Sequence, residues 1–365
     1  MTRLKVGVIG CGAIAQLQHL PHMRELEDEF EIAGLCDLSP GLLGFVGDQY
    51  GVAPTRRFRD YRELVASDID AVIVCPNSSH AEPAIAAAEA GKHLFVEKPM
   101  CVTVEQAEAM VAAADRAGVI LQVGYMKRHS PAYQHARRAI AAMGDTRFIQ
   151  VNHLHPNNAL HLREFPIRRF DDLPASLRDV GLTEHRRLVS QALGLADPGR
   201  LTQDVAAAFQ HVLGSLIHDI GNLSGVFGPP ERVVSTEIWR GGSALTTILA
   251  YAGDKRAVCT WIDLPDLQLF EETMEVYGGR ERVIVSFPTG FSIGADTVAT
   301  EYGIDADGHP WQREQRWHDN PFKIELRHFR ECVRCGTQPI TSGRDAIHDI
   351  ALVAKIIRAY LDACG

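Results

Sequence analysis

The sequence predicts an α/β protein: a doubly wound parallel sheet, followed by a second domain with an open-faced, mostly antiparallel sheet. Short β-rich segments alternate with helical stretches over the first third of the chain, the pattern of right-handed crossovers in a parallel sheet. The pattern changes after Gly124, and long β-rich runs follow from Arg232 onward, as expected for antiparallel strands. A length of 365 residues suits two domains, which we assign to residues 1–124 and 125–365.

Each element follows from a local pattern. In the first domain, we expect helices near residues 14–27 and 82–90, and strands at LKVGVI, EIAGLC, DAVIVC, KHLFV and VILQV. In the second, we expect a helix at 131–143, a helix through His218, terminal helices at 322–335 and 344–363, and strands at FIQVNHL, SALTTILAYAG, RAVCTWIDL, FEETMEVYG and RVIVSF. The polar, proline-punctuated stretch 156–203 is interpreted as an insertion, either a lid or a subunit contact.

Composition limits the partners. The net charge is −9, which argues against nucleic acid or an anionic membrane surface and favours a small molecule. No segment has the apolar length of a membrane span, and the N-terminus reaches glycine too early for a signal peptide, so we predict a cytoplasmic protein. The eight cysteines are expected to be reduced thiols. Cys332 and Cys335 form a CxxC pair without the second pair that a zinc ribbon needs.

The segment GVIGCGAIA indicates a dinucleotide site. It follows a predicted strand, opens a helix and places Gly10, Gly12 and Ala15 in GxGxxA spacing, with Ala13 and Ile14 between them. Missing side chains in such a turn let backbone amides approach a pyrophosphate at the helix N-terminus. The alternative interpretation is a tight strand-to-helix turn that binds no ligand.

Asp37 ends the next predicted strand, where an acidic side chain accepts hydrogen bonds from the adenosine ribose hydroxyls. Its negative charge repels a 2′-phosphate, and residues 38–44 contain no Arg or Lys to hold one. The sequence therefore favours NAD over NADP, although a basic residue distant in sequence can still reach the site.

The segment FVEKPM places Glu97, Lys98 and Pro99 directly after an apolar strand. Ligands of open α/β sheets bind at this carboxyl edge. Proline restricts the backbone of Lys98 and can form a cis peptide, which would direct the ammonium group. The alternative is a strand end with a solvated charge pair.

With these segments, the sequence resembles the glucose-fructose oxidoreductase and inositol dehydrogenase family, also called Gfo/Idh/MocA. The resemblance is carried by GVIGCGAIA, by AVIVCPNSSHAEPAIAAAEAGKHLFVEKPM and by VGYMKRHSPAY, and more loosely by SLIHDIGNL and the sheet that follows. It implies a Rossmann domain joined to an open-faced sheet, NAD(P)-dependent chemistry on a sugar or cyclitol, and a homo-oligomer such as a dimer or tetramer.

The resemblance also assigns roles. Lys98 matches the lysine that hydrogen-bonds the reacting oxygen, and Pro76, Asn77 and His80 match a segment along the nicotinamide; an ordinary loop capped by Ser78 or Ser79 is the alternative. Together with the glycine turn, this predicts the cofactor-binding set Gly10, Gly12, Ala13, Ile14, Ala15, Asp37, Pro76, Asn77, His80, Glu97 and Lys98.

His218 matches the family's general acid or base, a role that suits an imidazole with an ordinary pKa near 6.5. The Asp that usually precedes it by one turn is Gly214 here, and a position that is often Asp after it is Gly221. Asp219 is no simple substitute, because adjacent helical residues point about 100° apart. The alternative is a core histidine without a catalytic role.

The remaining predicted substrate contacts are second-tier. Tyr125 and Arg128 match residues that begin the substrate domain, although Arg128 has packing as an equal alternative. His211 lies on the face of His218, about 10 Å along the helix. His153 and His155 share one face of a strand near His161. Because no third ligand has a supporting spacing, we predict no metal; substrate contact is kept, with a solvated loop as the alternative.

The sequence thus predicts an NAD-dependent oxidoreductase that moves hydride between a secondary alcohol of a sugar-like or cyclitol-like compound and the nicotinamide, with Lys98 and His218 as catalytic residues. Two alternatives stay open. One is redox-neutral sugar chemistry, namely elimination or epimerisation through transient oxidation. The other is a ligand sensor that binds the dinucleotide without catalysis, an interpretation that Gly214 favours.

Overall fold

The computed structural model describes residues 3–267 and 269–364. Its first sheet has six strands in the order β3-β2-β1-β4-β5-β6, and every neighbouring pair is parallel. The predicted doubly wound sheet is therefore confirmed. The strands are β1 (Leu4–Ile9), β2 (Phe30–Cys36), β3 (Arg57–Phe58), β4 (Ala71–Val74), β5 (His93–Glu97) and β6 (Leu121–Gly124).

Helices alternate with these strands because the central strands are buried on both faces and need cover on each side. A π-helical segment, Ala15–His19, leads into the first of them. The helix after β5 begins with a reciprocal capping pair, Thr103 and Gln106, and ends at Gly118, whose φ is +65°. The helices are α1 (Leu20–Glu25), α2 (Pro40–Gln49), α3 (Tyr61–Val65), α4 (Ala81–Glu89) and α5 (Val104–Ala117).

The second sheet has eight strands in the order β14-β13-β12-β11-β7-β10-β9-β8. Only the β7–β10 pair is parallel, so the predicted mostly antiparallel sheet is also confirmed. The strands are β7 (Thr146–His155), β8 (Arg232–Trp239), β9 (Ala244–Tyr251), β10 (Lys255–Asp263), β11 (Glu271–Gly278), β12 (Glu281–Phe287), β13 (Thr297–Ile304) and β14 (Pro310–Trp317).

Buried and half-buried residues alternate along β7 and β12, so one face of this sheet is covered. Helix α6 packs on β12 and β13. The remaining helices are α6 (Pro131–Ala142), α7 (Asn158–Leu162), α8 (Ala175–Ala192), α9 (Gln203–His211), α10 (Ile217–Phe227), α11 (Pro321–Cys335) and α12 (Gly343–Cys364), with a second π-helical segment, Val212–Leu216, directly before α10.

Two largely exposed elements are among those that the sequence analysis did not name. The stretch 156–203 contains the 18-residue helix α8, most of whose residues are exposed. A helix that buries so few residues does not need the continuous apolar face by which amphipathic helices are recognised in a sequence. The polar edge strand β14, which pairs with β13, was also not predicted, because edge strands of this kind carry charges instead of an apolar run.

Proximity of Cα atoms divides the chain into two units that interleave along the sequence. The nucleotide unit comprises residues 1–125, 165–192 and 322–350, and the sheet unit comprises residues 126–164, 193–321 and 351–365. The domain boundary after residue 124 stays a prediction. Residues 165–192 and 322–350 also join the first unit, which their position along the sequence does not reveal.

Two further observations concern the cysteines and the helices. Cys332 and Cys335 lie on α11, and the eight cysteines are all free thiols. Among the described residues, no helix combines the length and the apolar character that crossing a bilayer requires.

Candidate active site

The carboxyl edge of the parallel sheet collects the residues predicted to bind the cofactor. Gly10 follows β1, Asp37 follows β2, Pro76 comes two residues after β4, and Lys98 follows β5. Because parallel strands end at the same edge, four predicted residues that are far apart in sequence lie along one side of the sheet.

The two glycines of the turn are required for different reasons. Gly10 has φ +93°, and a Cβ there would lie 2.5 Å from the backbone nitrogen of Pro76, so the fold itself excludes a side chain. A Cβ on Gly12 would meet nothing within 4 Å. Space above Gly12 is thus not taken up by the protein, which fits close approach of a pyrophosphate to the backbone. Ala15 is buried, whereas Ala13 and Ile14 are partly exposed beside the turn.

Asp37 is held in a defined orientation by backbone amides. The amide of Cys11 donates to Oδ2 at 2.8 Å, and the amide of Ser39 donates to Oδ1 at 2.9 Å. Each carboxylate oxygen keeps a further lone pair. The side chain can therefore accept hydrogen bonds from ribose hydroxyls without losing its protein partners.

A buried network braces the loop that carries Lys98. The Nε2 of His19 lies 2.7 Å from Oε1 of Glu97, and the amide of Lys98 donates to Oε2 of Glu97 at 3.0 Å. His80 bridges the same loop, with Nδ1 at 2.8 Å from the Pro99 carbonyl and Nε2 at 2.9 Å from the Pro76 carbonyl.

This network differs from the predicted cofactor contacts of His80 and Glu97. The two residues are 7% and 4% exposed, and their polar atoms face protein groups instead of solvent. The structure therefore gives both side chains a positioning role: they hold the backbone on either side of Lys98. His19, which the sequence analysis did not single out, belongs to the same network.

The other predicted residues of the nucleotide unit differ in accessibility. The side chain of Lys98 is half-buried, and the Lys98–Pro99 peptide bond is cis. Asn77 is exposed, as a contact with a bound cofactor requires. Tyr125, which directly follows β6, is only 2% exposed, so a substrate contact through its ring stays a prediction.

In the sheet unit, Arg128 packs against α10. A Cβ on Gly225 would lie 2.8 Å from Nε of Arg128 and 2.3 Å from the hydroxyl of Tyr133. The guanidinium therefore occupies the space above a helical glycine, which is the packing alternative considered for this residue. Its contact with a substrate stays a prediction.

Cross-strand register places three polar or aromatic side chains in one row. His153 on β7 pairs with Trp261 on β10 and with Glu272 on β11. Residues in register on adjacent strands project from the same face. Helix α10 adds Asp219 to this row, with Oδ2 at 2.8 Å from Nδ1 of His153.

Hydrogen-bond partners occupy both ring nitrogens of His153. The indole of Trp261 can only donate, and it donates to Oγ of Ser215 at 2.9 Å. Oγ of Ser215 lies 3.1 Å from Nε2 of His153, and Nδ1 faces Asp219. With both nitrogens bonded and 2% of the residue exposed, His153 is a buried link in a network. Its contact with a substrate stays a prediction.

Lys127 supplies a positive charge to the same cluster by pairing with Oε2 of Glu272. Asp219 and Glu272 also share a hydrogen bond, and both are fully buried. Burial raises the pKa of Asp219 to about 6 and also raises that of Glu272.

This cluster also bears on the question of a metal. One ligand atom each from His153, Asp219 and Glu272 lies within 4.8 Å of the others, a spacing that a metal ion could bridge. The ammonium of Lys127 already neutralises Glu272, so a cation is present without a metal. The absence of a metal stays a prediction.

Replacing Asp219 with asparagine is expected to change how stability depends on pH. Its folded pKa of about 6 lies above the ordinary value of 3.8, so the folded chain retains a proton that the unfolded chain has lost. The contribution of Asp219 is therefore fully present below pH 4, and about 3 kcal/mol of it is lost as the pH rises through 6. Between pH 4 and pH 7, the free energy of unfolding of Asp219→Asn, measured with urea, should rise by that amount relative to that of the original protein. A constant difference would contradict a protonated Asp219.

Next to this network, imidazole and aromatic rings form a partly exposed surface, which we call the imidazole face. The ring of His155 stacks on His153, and the ring of His211 stacks on Trp261 with centroids 4.1 Å apart. Burial lowers the pKa of His155 to about 4 and also lowers that of His211. The face comprises His155, His161, His211, Trp261 and Phe270.

The rings of the imidazole face suit neutral, hydroxylated ligands. Nδ1 of His155 lies 2.6 Å from the Pro156 carbonyl and donates to it, which leaves Nε2 to accept a hydrogen bond. Aromatic surface beside polar nitrogens provides both an apolar and a hydrogen-bonding contact. The predictions for His155 and His211 stay open, and Trp261 and Phe270 are additions from the structure.

His218 is the second residue of α10 and is half-buried. The preceding π-helical segment contains Gly214, where a Cβ would meet only Nε2 of Gln210, at 3.5 Å. Packing within this unit therefore does not force the glycine that stands in place of the family Asp. π-Helical turns are frequent at functional sites.

Known proteins resemble the chain over different lengths. The model of an oxidoreductase family with an NAD-binding Rossmann fold, Gfo/Idh/MocA, matches residues 4–125. D-Apiose dehydrogenase of Paraburkholderia graminis is 28% identical over 99% of this chain and 88% of its own length. The scyllo-inositol 2-dehydrogenase (NAD(+)) of Bacillus subtilis is 28% identical over 78% of this chain and 74% of its own. Inositol 2-dehydrogenase of Paracoccus denitrificans is 35% identical, but over 42% of this chain and 46% of its own.

Solved structures share the whole fold at low sequence identity. Aldose-aldose oxidoreductase from Caulobacter crescentus, complexed with glycerol, has a TM-score of 0.73 at 22% identity, over 99% of this chain and 98% of its own. The 3-ketoreductase KijD10 of Actinomadura kijaniata, in complex with NADP and TDP-benzene, has a TM-score of 0.71 at 19% identity, over 98% of both chains. The N-terminal region, residues 4–125, thus matches the Gfo/Idh/MocA family of oxidoreductases, and the chain as a whole is similar to a dehydrogenase.

Proposed function

We propose that this protein is an NAD-dependent oxidoreductase that transfers hydride between the nicotinamide and a secondary alcohol of a sugar, sugar derivative or cyclitol. One observation carries the proposal: the carboxyl edge of one parallel sheet presents the open turn at Gly12, the oriented carboxylate of Asp37 and the braced loop of Lys98. Similarity to enzymes named as apiose and scyllo-inositol dehydrogenases supports the substrate class.

Bound nicotinamide would supply the hydride acceptor or donor, and the protein supplies the polar groups around the reacting carbon. In this proposal the ammonium of Lys98 stabilises the negative charge that develops on the substrate oxygen. His218 removes the hydroxyl proton during oxidation and returns it during reduction. The buried bonds from His19 through Glu97 to the Lys98 amide limit the movement of that lysine's backbone.

The imidazole face would contact the substrate. His155 and His211 are uncharged at neutral pH because burial lowers the pKa of each. They can therefore exchange hydrogen bonds with hydroxyl groups without attracting an anion. The partly exposed ring of Phe270 offers apolar surface for the C–H face of a sugar-like ring, and the buried ring of Trp261 supports His211 by stacking. Tyr125 and Arg128 are kept as secondary candidates.

We propose NAD over NADP as the cofactor. The carboxylate of Asp37 is oriented so that it can accept hydrogen bonds from ribose hydroxyls, and its charge repels a phosphate. The name of the Bacillus subtilis relative includes NAD(+), whereas the Actinomadura kijaniata structure contains NADP. Cofactor choice is therefore a property to be measured for this chain directly.

A substrate panel tests the proposal. Sugars, sugar acids, sugar phosphates, glycosides and inositols are supplied with NAD, and reduced nicotinamide is followed at 340 nm. Sustained accumulation of NADH with a member of the panel is the expected result. A protein that binds NAD but reduces none with any of these compounds would contradict the proposal.

Two alternatives have distinct signatures. Redox-neutral chemistry, either elimination or epimerisation, would yield product with only catalytic NAD and no accumulated NADH. A ligand sensor would show melting-temperature shifts with a sugar and NAD but no product. Gly214 is the observation that favours the sensor, since it stands where the family resemblance implies an acidic partner one turn before the histidine.

The same proposal includes a homo-oligomer, either a dimer or a tetramer, that acts in the cytoplasm. The oligomeric expectation follows from the family resemblance, and the cytoplasmic one from the sequence pattern. Light scattering coupled to gel filtration measures the mass directly, and a monomer at micromolar concentration would contradict the oligomeric part.

A further inference from the structure

Residues 165–172 form a strap over the nucleotide edge of the parallel sheet. Gln16, next to the glycine turn, makes two hydrogen bonds with the backbone of Arg168: its Nε2 donates to the carbonyl at 3.1 Å, and its Oε1 accepts from the amide at 2.9 Å. At the other end, Phe170 lies so close to α2 that a Cβ on Gly41 would be 2.6 Å from its ring.

The strap places a carboxylate at the N-terminus of α2. Oδ2 of Asp172 accepts a hydrogen bond from the Gly41 amide at 2.8 Å. The hydroxyl of Ser39, the N-cap residue, also bonds to Asp172, and this bond together with the Gly41 amide lowers the pKa of the carboxyl. An ionised group at the N-terminus of a ten-residue helix is stabilised by the free amides and the helix dipole.

Asp172 therefore stands beside the part of the site that distinguishes NAD from NADP. Its neighbour Ser39 also donates its amide to Asp37, so two carboxylates flank one residue. In dinucleotide-binding sheets the residue at the position of Asp37 contacts the ribose 2′-hydroxyl, and a 2′-phosphate is held near the same loop. The backbone amides after β2 would be hydrogen-bond donors to such a phosphate.

A basic residue lies beside this loop, although residues 38–44 contain none. Arg59, which follows β3, donates from Nη2 to the carbonyl of Leu38 at 3.2 Å. Its charge also attracts Asp172. The carboxylate of Asp172 thus accepts a hydrogen bond from the Gly41 amide and is attracted by the charge of Arg59.

We propose that Asp172 is a specificity-determining residue that occupies the position of the NADP 2′-phosphate and excludes that cofactor. The inference rests on the proposed dinucleotide site and adds a selectivity element from a segment far away in sequence. Removing the carboxylate frees the Gly41 amide, the Ser39 hydroxyl and the Arg59 guanidinium for a phosphate, while the Asp37 contacts with Cys11 and Ser39 remain.

The test measures dinucleotide binding without substrate. Dissociation constants of NADH and NADPH are determined by nicotinamide fluorescence for the full chain and for Asp172→Ala. We expect the variant to bind NADPH about tenfold more tightly relative to NADH, since one negative charge no longer faces a dianion. In the double variant Asp172→Ala/Arg59→Ala, most of this gain should be lost.

Asp171→Ala is the matched control. Asp171 is exposed, adjacent in sequence and paired with Arg178 at 3.0 Å, so its removal changes the net charge equally and should leave the NADH to NADPH ratio unchanged. The inference is overturned if Asp172→Ala keeps the ratio of the original protein, if Asp171→Ala shifts it equally, or if the original protein already prefers NADPH. Binding of neither dinucleotide would instead refute the proposed function, and the inference with it.

Discussion

The Lys98→Ala variant is expected to lose about 10²- to 10³-fold in turnover, while its affinity for NAD changes little. The reason is that the ammonium acts on charge that exists only while hydride is being transferred. Binding of the dinucleotide instead depends on the glycine turn and on Asp37, which the substitution does not touch. Steady-state turnover and NADH fluorescence titration measure the two quantities separately.

Lys5→Ala provides a control for the loss of a lysine in the same unit. Lys5 lies at the amino end of β1 and pairs with the exposed Asp68, so this variant should retain turnover. The loop that carries Lys98 is braced through the Lys98 backbone amide, which the substitution retains, and the melting temperature should therefore fall little. Equal losses of turnover and NAD affinity in Lys98→Ala would contradict a transition-state role.

The His218→Gly variant is expected to lose about 10²- to 10⁴-fold in turnover, the range for a general acid or base. His218 is half-buried at the start of α10 and is therefore not part of the fully buried core. Because the lost group is an imidazole, added imidazole should restore part of the rate in the glycine variant. Rescue that grows with imidazole concentration and pH identifies proton transfer, which a structural role would not produce.

An exposed histidine of the sheet unit gives the comparison. His309 lies in the turn between β13 and β14, outside the imidazole face, and His309→Gly should keep full turnover and show no response to imidazole. His218→Gly with nearly full turnover would remove His218 from the mechanism. In that case the sensor or a mechanism that depends on Lys98 alone would gain support, in line with the missing acidic partner at Gly214.

Patterns within short segments carried most of the fold prediction. Strands β1, β2, β4, β5 and β6 were predicted correctly because buried parallel strands are continuous apolar runs. Helices α11 and α12 were predicted from the helical pattern of their sequences. Helix α8 and strand β14 were missed for the opposite reason. Both are largely exposed, so their residues are not constrained to an apolar pattern.

The candidate site divides in the same way. The glycine turn, Asp37 and Lys98 were identified because a motif at a strand end implies its own position on the sheet. His153 was assigned to the substrate because its spacing with His155 suggests a shared face. Its hydrogen-bond partners are Ser215, which also bonds to Trp261, and Asp219. Residue spacing along the chain does not reveal these partners.

The sequence by itself determined the parallel sheet and the glycine turn that follows its first strand, because each depends on residues that are close together along the chain. The tertiary structure alone decided which distant side chains meet: Asp172 with Gly41, and Lys127 with Glu272. The physical reason is that a carboxylate or ammonium is ordinary in any sequence. Its charge gains a function only from the amides, burial and opposite charges that folding brings to it.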